Sequence, residues 1–433
     1  MGVKNVEKIG STDMSVGRAA IALVLAIIGT LGLFWVTTEL QLVGGNWAFV
    51  SEVVAVQFPF RVNNFVWLVV RAGLGAYISF VVVVVMLQLL GTWRRLIADG
   101  HGDEAGTHSG TESDLLRFND VQVYGHGLLA LSILVLWVTG LPITFNEPLG
   151  WVFGILGSQN AITIHGIAGG LLTGTVIFYL VYGFLGIVTR ETTLKYVFPG
   201  PKDLIDGIKH VKYLLGIDSA PPASKYTVLQ KAECWIIAFE SFVMIVTGLL
   251  LWSAISVTRS PEPLNTVMTQ WAAPSMMILR EVHAIVGVTM LAGITFHLFM
   301  THIKEWPLDK SMFTGKVEIG RACEEWQRWA KEQRGVSDIP CEEYSWRPAL
   351  TIGAMVATGV FVFVWLGAVL QYTLAPIPTC EMCIIADFRS AGLPGGWIGS
   401  LFSLGLNLAF VVVVLGLVAL AWGFKIRWSG STQ

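Results

Sequence analysis

The sequence predicts an all-α integral membrane protein, and three observations carry that prediction. Hydrophobic residues make up 54% of the 433 residues and charged residues only 13%, where a soluble domain carries about 25% charged. Eight apolar runs reach the roughly 20 residues that a bilayer core demands. Lys and Arg are spread very unevenly over the segments between those runs. The formal net charge of −2 gives no sign of a nucleic-acid partner.

The runs lie at about 18–38, 65–92, 122–144, 161–188, 232–252, 281–301, 349–372 and 399–423. The first exceeds the apolar region of a secretory signal, about 7–15 residues, and reads as a retained span. With eight spans, both ends and every second loop share one face. Segments 1–18, 93–121, 189–226, 302–347 and 424–433 hold 22 Lys and Arg. Segments 39–62, 145–160, 253–278 and 373–398 hold only Arg61, Arg259 and Arg389. The basic face is expected to be cytoplasmic, which puts both termini there and makes the span count even.

Between the spans, the Gly- and Ser-rich stretch 100–114 reads as a flexible linker, with His101 and His108 solvated. In 189–226, KDLIDGIKHVKYLLG reads as an amphipathic helix on the membrane surface, His210 included. The segment 302–347 is expected to form a helix along that surface. No internal repeat stands out. The chain divides into 1–121, with two N-terminal spans and the linker, 122–347, with four central spans, and 348–433, with two C-terminal spans. Of five cysteines, Cys234, Cys323 and Cys341 are scattered. Cys380 and Cys383 form a CEMC pair that reads as a local disulfide or two free thiols; Ile384 stands where c-type haem attachment needs His.

Ionisable residues inside membrane helices are rare and functional by default, and the central spans carry four histidines. Alternating span direction sorts them by depth. His126 and His297 lie toward the cytoplasmic side, and His165 and His283 toward the outer side. His283 and His297 are fourteen residues apart, about 21 Å along a helix and on nearly the same face. Paired imidazoles at two depths suit two haems held by axial histidines in a four-helix bundle. Gly169 and Gly287, each four residues after a histidine, and Gly140, fourteen after His126, would admit the macrocycles. With both axial positions filled by protein, electron transfer is the expected task.

Among other polar residues, Glu240 reads as a hydrogen-bonded bundle residue or a proton relay. Arg71 reads as a snorkelling residue. His302 reads as interfacial or as a proton donor to a site nearby.

From Arg117 to Val317 the chain resembles the dihaem cytochrome b subunit of membrane-bound formate dehydrogenase, with the thiosulfate reductase and hydrogenase cytochrome b subunits similar. The resemblance rests on the His126–His165 spacing of 39 and the His283–His297 spacing of 14. It also rests on H-x3-G at His165 and His283, KYTVLQK at 225–231 and MFTGKV at 312–317. It implies a four-helix dihaem cytochrome b bundle, here flanked by two extra transmembrane helices at each end. It implies b-type haem iron held by His126 with His297 and by His165 with His283.

The resemblance further implies a cytoplasmic-side quinone pocket lined by Tyr226, Thr227, Gln230 and Lys231. Thr227 and Leu229 stand where the relative has Asn and Gly. Val123 stands where many relatives have Arg, so haem propionates would turn to Arg117 or Lys225. The implied setting is a prokaryotic plasma membrane and a respiratory complex. The implied partner is an extracytoplasmic iron–sulfur or multihaem cytochrome subunit with a catalytic subunit beyond it; the four extra helices, which are not part of that family's pattern, read as an enlarged docking face for it or as a lipid-facing buttress. Two other readings stand beside this one: a haem-free anchor or transporter, and a ferric-reductase-like cytochrome, in which two helices rather than one would carry the long histidine spacing.

Overall fold

The computed structural model describes residues 16–42, 115–188, 196–215, 217, 221–258, 310–334 and 397–430, with 282–284, 286–287, 289–291, 293–294 and 297–298. In chain order these form α1 (Val16–Leu42), β1 (Leu115–Leu116), α2 (Asp120–Thr144), α3 (Asn146–Leu149), α4 (Trp151–Leu156), α5 (Ser158–Val188), α6 (Pro201–Leu215) and α7 (Val228–Thr258). There follow α8, meaning the apolar helix Val282–Leu291 and the helical residues 293–294 and 297–298 beyond it. The last elements are α9 (Ser311–Thr314), β2 (Lys316–Val317), α10 (Ile319–Glu325), α11 (Gln327–Arg334) and α12 (Trp397–Gly430).

Five of these helices, α1, α2, α5, α7 and α12, are long and apolar enough to cross a membrane. A hydrocarbon core offers no water to backbone amides, so a helix is the form in which such segments satisfy themselves. Five of the eight expected spans thus fall on helices of this kind among the described residues. The expected spans at 65–92 and 349–372 lie outside the described residues, and 281–301 is described in part. Also outside lie the linker 100–114, His101, His108, Arg71, His302, Cys341, Cys380, Cys383 and the greater part of the outer loops.

Two capping boxes set where α2 and α7 begin. Asn119 Oδ1 accepts from the Gln122 amide at 2.9 Å while Gln122 Oε1 accepts from the Asn119 amide at 3.1 Å. Thr227 and Gln230 repeat the exchange at 3.2 and 3.0 Å. Each box satisfies two amide donors that a helix start leaves orphaned.

α2 packs along α5, and α5 also meets α7. The flanking helices take opposite sides: α1 lies against α5 and α7, and α12 against α2 and α9. The main apolar core runs through this bundle and includes Ile133, Leu172 and Met290. Those three lie seven residues from His126, His165 and His283 respectively, which puts them about 10.5 Å from each histidine level. They form an apolar level across the middle of the bundle, beside buried Ser132, Thr173, Ser241 and Glu240.

At one end of the bundle sits a small cap. β1 pairs antiparallel with β2, Leu115 opposite Val317 and Leu116 opposite Lys316. Beneath it a second core gathers Val317, Ile319, Ala322, Cys323, Trp326, Trp329 and Ala330. The single surface helix expected over 302–347 is therefore not what residues 310–334 form. Gly315 at φ 76° ends α9 in a left-handed turn, open to glycine without Cβ strain. Trp326 at φ −130° breaks the next run so that its ring can be fully buried. α6 matches the expected amphipathic helix. Leu204, Ile205, Ile208 and Val211 are exposed along it, and Lys231 anchors it through Asp203 at 2.8 Å. The Asp203 carboxyl is held below its usual range: burial opposes this, but the Lys231 hydrogen bond and charge and the Gly200 amide outweigh it.

α12 is fastened to the bundle at both ends. Arg427 donates to Asp120, to the Phe313 carbonyl at 2.7 Å and to the Tyr124 hydroxyl at 3.2 Å. Asn407 accepts from the Trp151 indole at 3.0 Å and donates to the Pro148 carbonyl at 3.2 Å. Between these ties the Phe424 ring occupies the place of a side chain at Gly127. Gly127→Leu is expected to destabilise by about 1–3 kcal/mol through overpacking, read as a lower thermal midpoint in detergent.

Candidate functional site

The four histidines arise on three helices: His126 on α2, His165 on α5, and His283 and His297 on α8. The structure brings them together as two facing pairs. His126 and His297 have ring centroids 6.1 Å apart, tilted by 47°. His165 and His283 have centroids 6.3 Å apart at 72°. Rings each standing about 2 Å off a shared metal ion have centroids about 6 Å apart, so both separations suit one metal between two imidazoles. Two helices measure the distance between pairs independently. On α8 it is the fourteen residues from His283 to His297. On α2, Gly140, fourteen after His126, lies against the His165 ring, where an added Cβ would stand 2.9 Å from Cε1. Both give about 21 Å along the bundle.

The outer pair is held by two threonines. Thr139 Oγ1 donates to the Val135 carbonyl at 2.8 Å and lies 2.9 Å from His165 Nδ1. Thr247 Oγ1 donates to the Val243 carbonyl at 2.7 Å and lies 2.8 Å from His283 Nδ1. A hydroxyl has one hydrogen. Where that hydrogen goes to its own helix's carbonyl, the oxygen is left to accept from the imidazole, and the Leu136 backbone is a second partner for His165. Nδ1 therefore carries the ring proton, and Nε2 keeps its lone pair. That is the tautomer a metal ligand needs, with the second nitrogen fixed by a neighbour. The next residue on each helix is glycine: Gly248 lies against His283 as Gly140 does against His165, an added Cβ standing 3.3 Å from Cε1.

The inner pair is held differently. His297 Nδ1 lies 3.0 Å from Glu233 Oε1 of α7, off the line of an ideal hydrogen bond. The predicted glycines divide. A Cβ on Gly169 would meet nothing within 4 Å, leaving the open face a flat group requires, whereas on Gly287 it would meet Met244 at 3.5 Å, an ordinary contact. Among the described residues no group of three His, Cys, Asp or Glu forms a metal cluster. Two ligands per site suit a macrocycle that brings its own equatorial nitrogens.

Thr139, Thr247 and Glu233 were not foreseen, yet the signal was in the sequence. Val138–Leu141 and Val246–Leu249 both read VTGL, and His165–Gly169 and His283–Gly287 both read H-x-I-x-G. The offset of 108 from Thr139 to Thr247 also carries Arg117, Phe118, Asn119 and Gln122 onto Lys225, Tyr226, Thr227 and Gln230. The chain therefore does contain an internal repeat, one half built on α2 and α5 and the other on α7 and α8.

Three of the four predicted quinone residues have structural partners. Thr227 and Gln230 cap α7, Gln230 Oε1 also accepts from the Trp326 indole at 3.2 Å, and Lys231 binds Asp203. Tyr226 instead joins a buried basic cluster. The Arg117 guanidinium stacks 3.3 Å over Trp326 and donates to the Lys225 carbonyl at 3.2 Å. Phe118 and Tyr226 lie 6.3 Å apart beside it. Burial, then the Arg117 charge, lowers the Lys225 ammonium to about 8. Burial raises the Tyr226 phenol to about 12 against the pull of Arg117. Two buried cations on an aromatic floor, at the end where His126 and His297 meet, invite an anion. Of the free thiols, Cys234 is exposed and Cys323 is buried in the cap.

A membrane helix bundle with facing imidazole pairs has the build of a b-type cytochrome. Residues 117–315, just under half of the chain, match the family model described as prokaryotic cytochrome b561. The match supports a cytochrome b family, with b-type haem binding and electron transfer in a multi-pass membrane protein. A comparison with curated proteins gives no match.

Thr139→Val is expected to cost about 1–3 kcal/mol, because the His165 Nδ1 proton loses its acceptor at constant shape. An unchanged thermal midpoint would show that the proton is satisfied elsewhere. Lys225 gives a pH signature. Below about 8 the charge is present folded and unfolded, and the fold carries its burial cost; between about 8 and 10.5 the folded state releases the proton first, so stability rises with pH. Lys225→Met should flatten that rise in unfolding curves taken across the window.

Proposed function

We propose that the protein is a dihaem cytochrome b that carries electrons across a membrane between an outer-face redox partner and a quinone at the cytoplasmic end. The observation that carries the proposal is the matched separation of the two imidazole pairs, 6.1 and 6.3 Å. His126 with His297 would hold the inner haem and His165 with His283 the outer one. Bound there, each haem supplies one-electron exchange. The chain's own residues hold the ring tautomers through Thr139 and Thr247, leave room for a flat group at Gly169, and keep water out with the Ile133, Leu172 and Met290 layer. Arg117 and Lys225 offer cations to inner-haem propionates. Tyr226 beside them gives a quinone head group a phenol to meet, while Thr227, Gln230 and Lys231 support that wall through their caps and ion pair.

The partner on the outer face is an iron–sulfur or multihaem cytochrome subunit leading to a catalytic subunit: two imidazoles at each site would hold the haem iron from both sides, so substrate chemistry would fall to another subunit. The setting is a prokaryotic plasma membrane and a respiratory complex, with both termini cytoplasmic. The uneven distribution of Lys and Arg supports that orientation.

Reduced-minus-oxidised spectra with haem quantification test this. The intact protein is expected to bind two b-type haems. His165→Ala and His283→Ala should each remove the outer haem, His126→Ala and His297→Ala the inner one, leaving about half of the haem. Single variants that retain both haems would refute the assignment.

A further inference from the structure

The two sites differ in what stands behind their ligands. Both outer histidines place Nδ1 against a neutral hydroxyl, Thr139 at 2.9 Å and Thr247 at 2.8 Å. At the inner site, His297 Nδ1 faces the Glu233 carboxyl at 3.0 Å, and the side chains are 25% and 12% exposed respectively. The approach is close but not aligned as a hydrogen bond, so it acts through the charge and position of the carboxyl. The repeat shows that this placement is specific. The residue 108 before Glu233 is Gly125, and there the Tyr179 ring fills the space a side chain would take. The equivalent of Tyr179 in the other half is His297, by the offset of 118 that relates His165 to His283. Each half therefore has the same pair of positions in contact: glycine against tyrosine in one, glutamate against histidine in the other.

We infer that Glu233 is a positioning residue for the inner haem, which holds His297 by Nδ1 and sets the inner haem at a lower midpoint potential than the outer. The inference rests on the dihaem reading. A carboxylate behind an imidazole makes the ring a more basic ligand. Its negative charge also favours the ferric over the ferrous state across a weakly screened interior. A threonine hydroxyl fixes the ring without bringing a charge. With haems at both sites, that order of potentials would favour electron flow from the inner to the outer one, the direction of quinol oxidation at the cytoplasmic end and delivery to a reductase on the outer face.

Potentiometric titration of the purified holoprotein tests this, with the haems told apart by His165→Ala, which keeps only the inner one. The wild type should titrate in two one-electron steps, the lower belonging to the inner haem. Glu233→Gln should raise that step by roughly tenfold in its reduced-to-oxidised ratio, about 59 mV, and leave the outer step in place. Glu233→Asp, which keeps the charge, should hold the inner step below the outer. An inner haem at or above the outer in the wild type overturns the inference, as does a Glu233→Gln protein with both haems and unshifted steps. Should Glu233→Gln lose the inner haem, Glu233→Asp decides: an inner step below the outer supports the inference, and one at or above it, or loss there too, overturns it. A wild type without b-type haem refutes the dihaem reading itself, a separate outcome visible in the first spectrum.

Discussion

A threonine hydroxyl has one hydrogen to give, and in both halves of this bundle it goes to the helix's own carbonyl. The rest of the outer site depends on that commitment. When the hydrogen is spent there, the oxygen is left to accept, which favours the facing imidazole protonated at Nδ1 and bare at Nε2. The adjacent glycine lets the ring approach closely enough for the contact. Threonine in a membrane helix commonly folds back onto the preceding turn. Thr139 and Thr247 put that habit to use, converting a local backbone bond into the choice of which nitrogen of a neighbouring helix stays available to a metal.

The repeat explains why the two ends of the bundle differ. Residues related by it meet one another at both extremes: His165 with His283 at one, and Arg117 with Lys225 and Phe118 with Tyr226 at the other. The inner histidines break the rule. His126 corresponds to Cys234 and His297 to Tyr179. The inner pair therefore draws one histidine from each half at positions that do not correspond, and its surroundings need not be alike on the two sides. Duplication supplies two matched halves, and divergence at four positions turns them into two unlike sites.

Much of this was legible in the sequence. The apolar runs for α1, α2, α5, α7 and α12 matched helices that overrun them by up to seven residues, because capping and interfacial turns extend beyond the apolar stretch. The histidine pairing followed from span direction and a fixed rise per residue. The cap was misread as one helix, since composition is blind to what Gly315 and a buried Trp326 do to a short amphipathic run. The repeat was missed because hydrophobic membrane segments all look alike. The informative letters were few: two Thr-Gly steps and two capping boxes. Their meaning lies in contacts between helices, which no single span displays. Glu233 was overlooked for the same reason, an ordinary glutamate near a helix start until its neighbour is known.

The layer of Ile133, Leu172 and Met290 has a consequence for what can cross the protein. An electron tunnels through saturated hydrocarbon; a proton must be handed from one polar atom to the next. Ile133, Leu172 and Met290 offer a proton no foothold, while Glu240 and the neighbouring hydroxyls of Ser132, Thr173 and Ser241 are the polar groups buried at that depth. Were two haems to sit at the two histidine levels, a negative charge passing between them would move through the membrane voltage, as the plates of a capacitor are charged through a dielectric, and the apolar side chains at this depth would slow any proton that followed it.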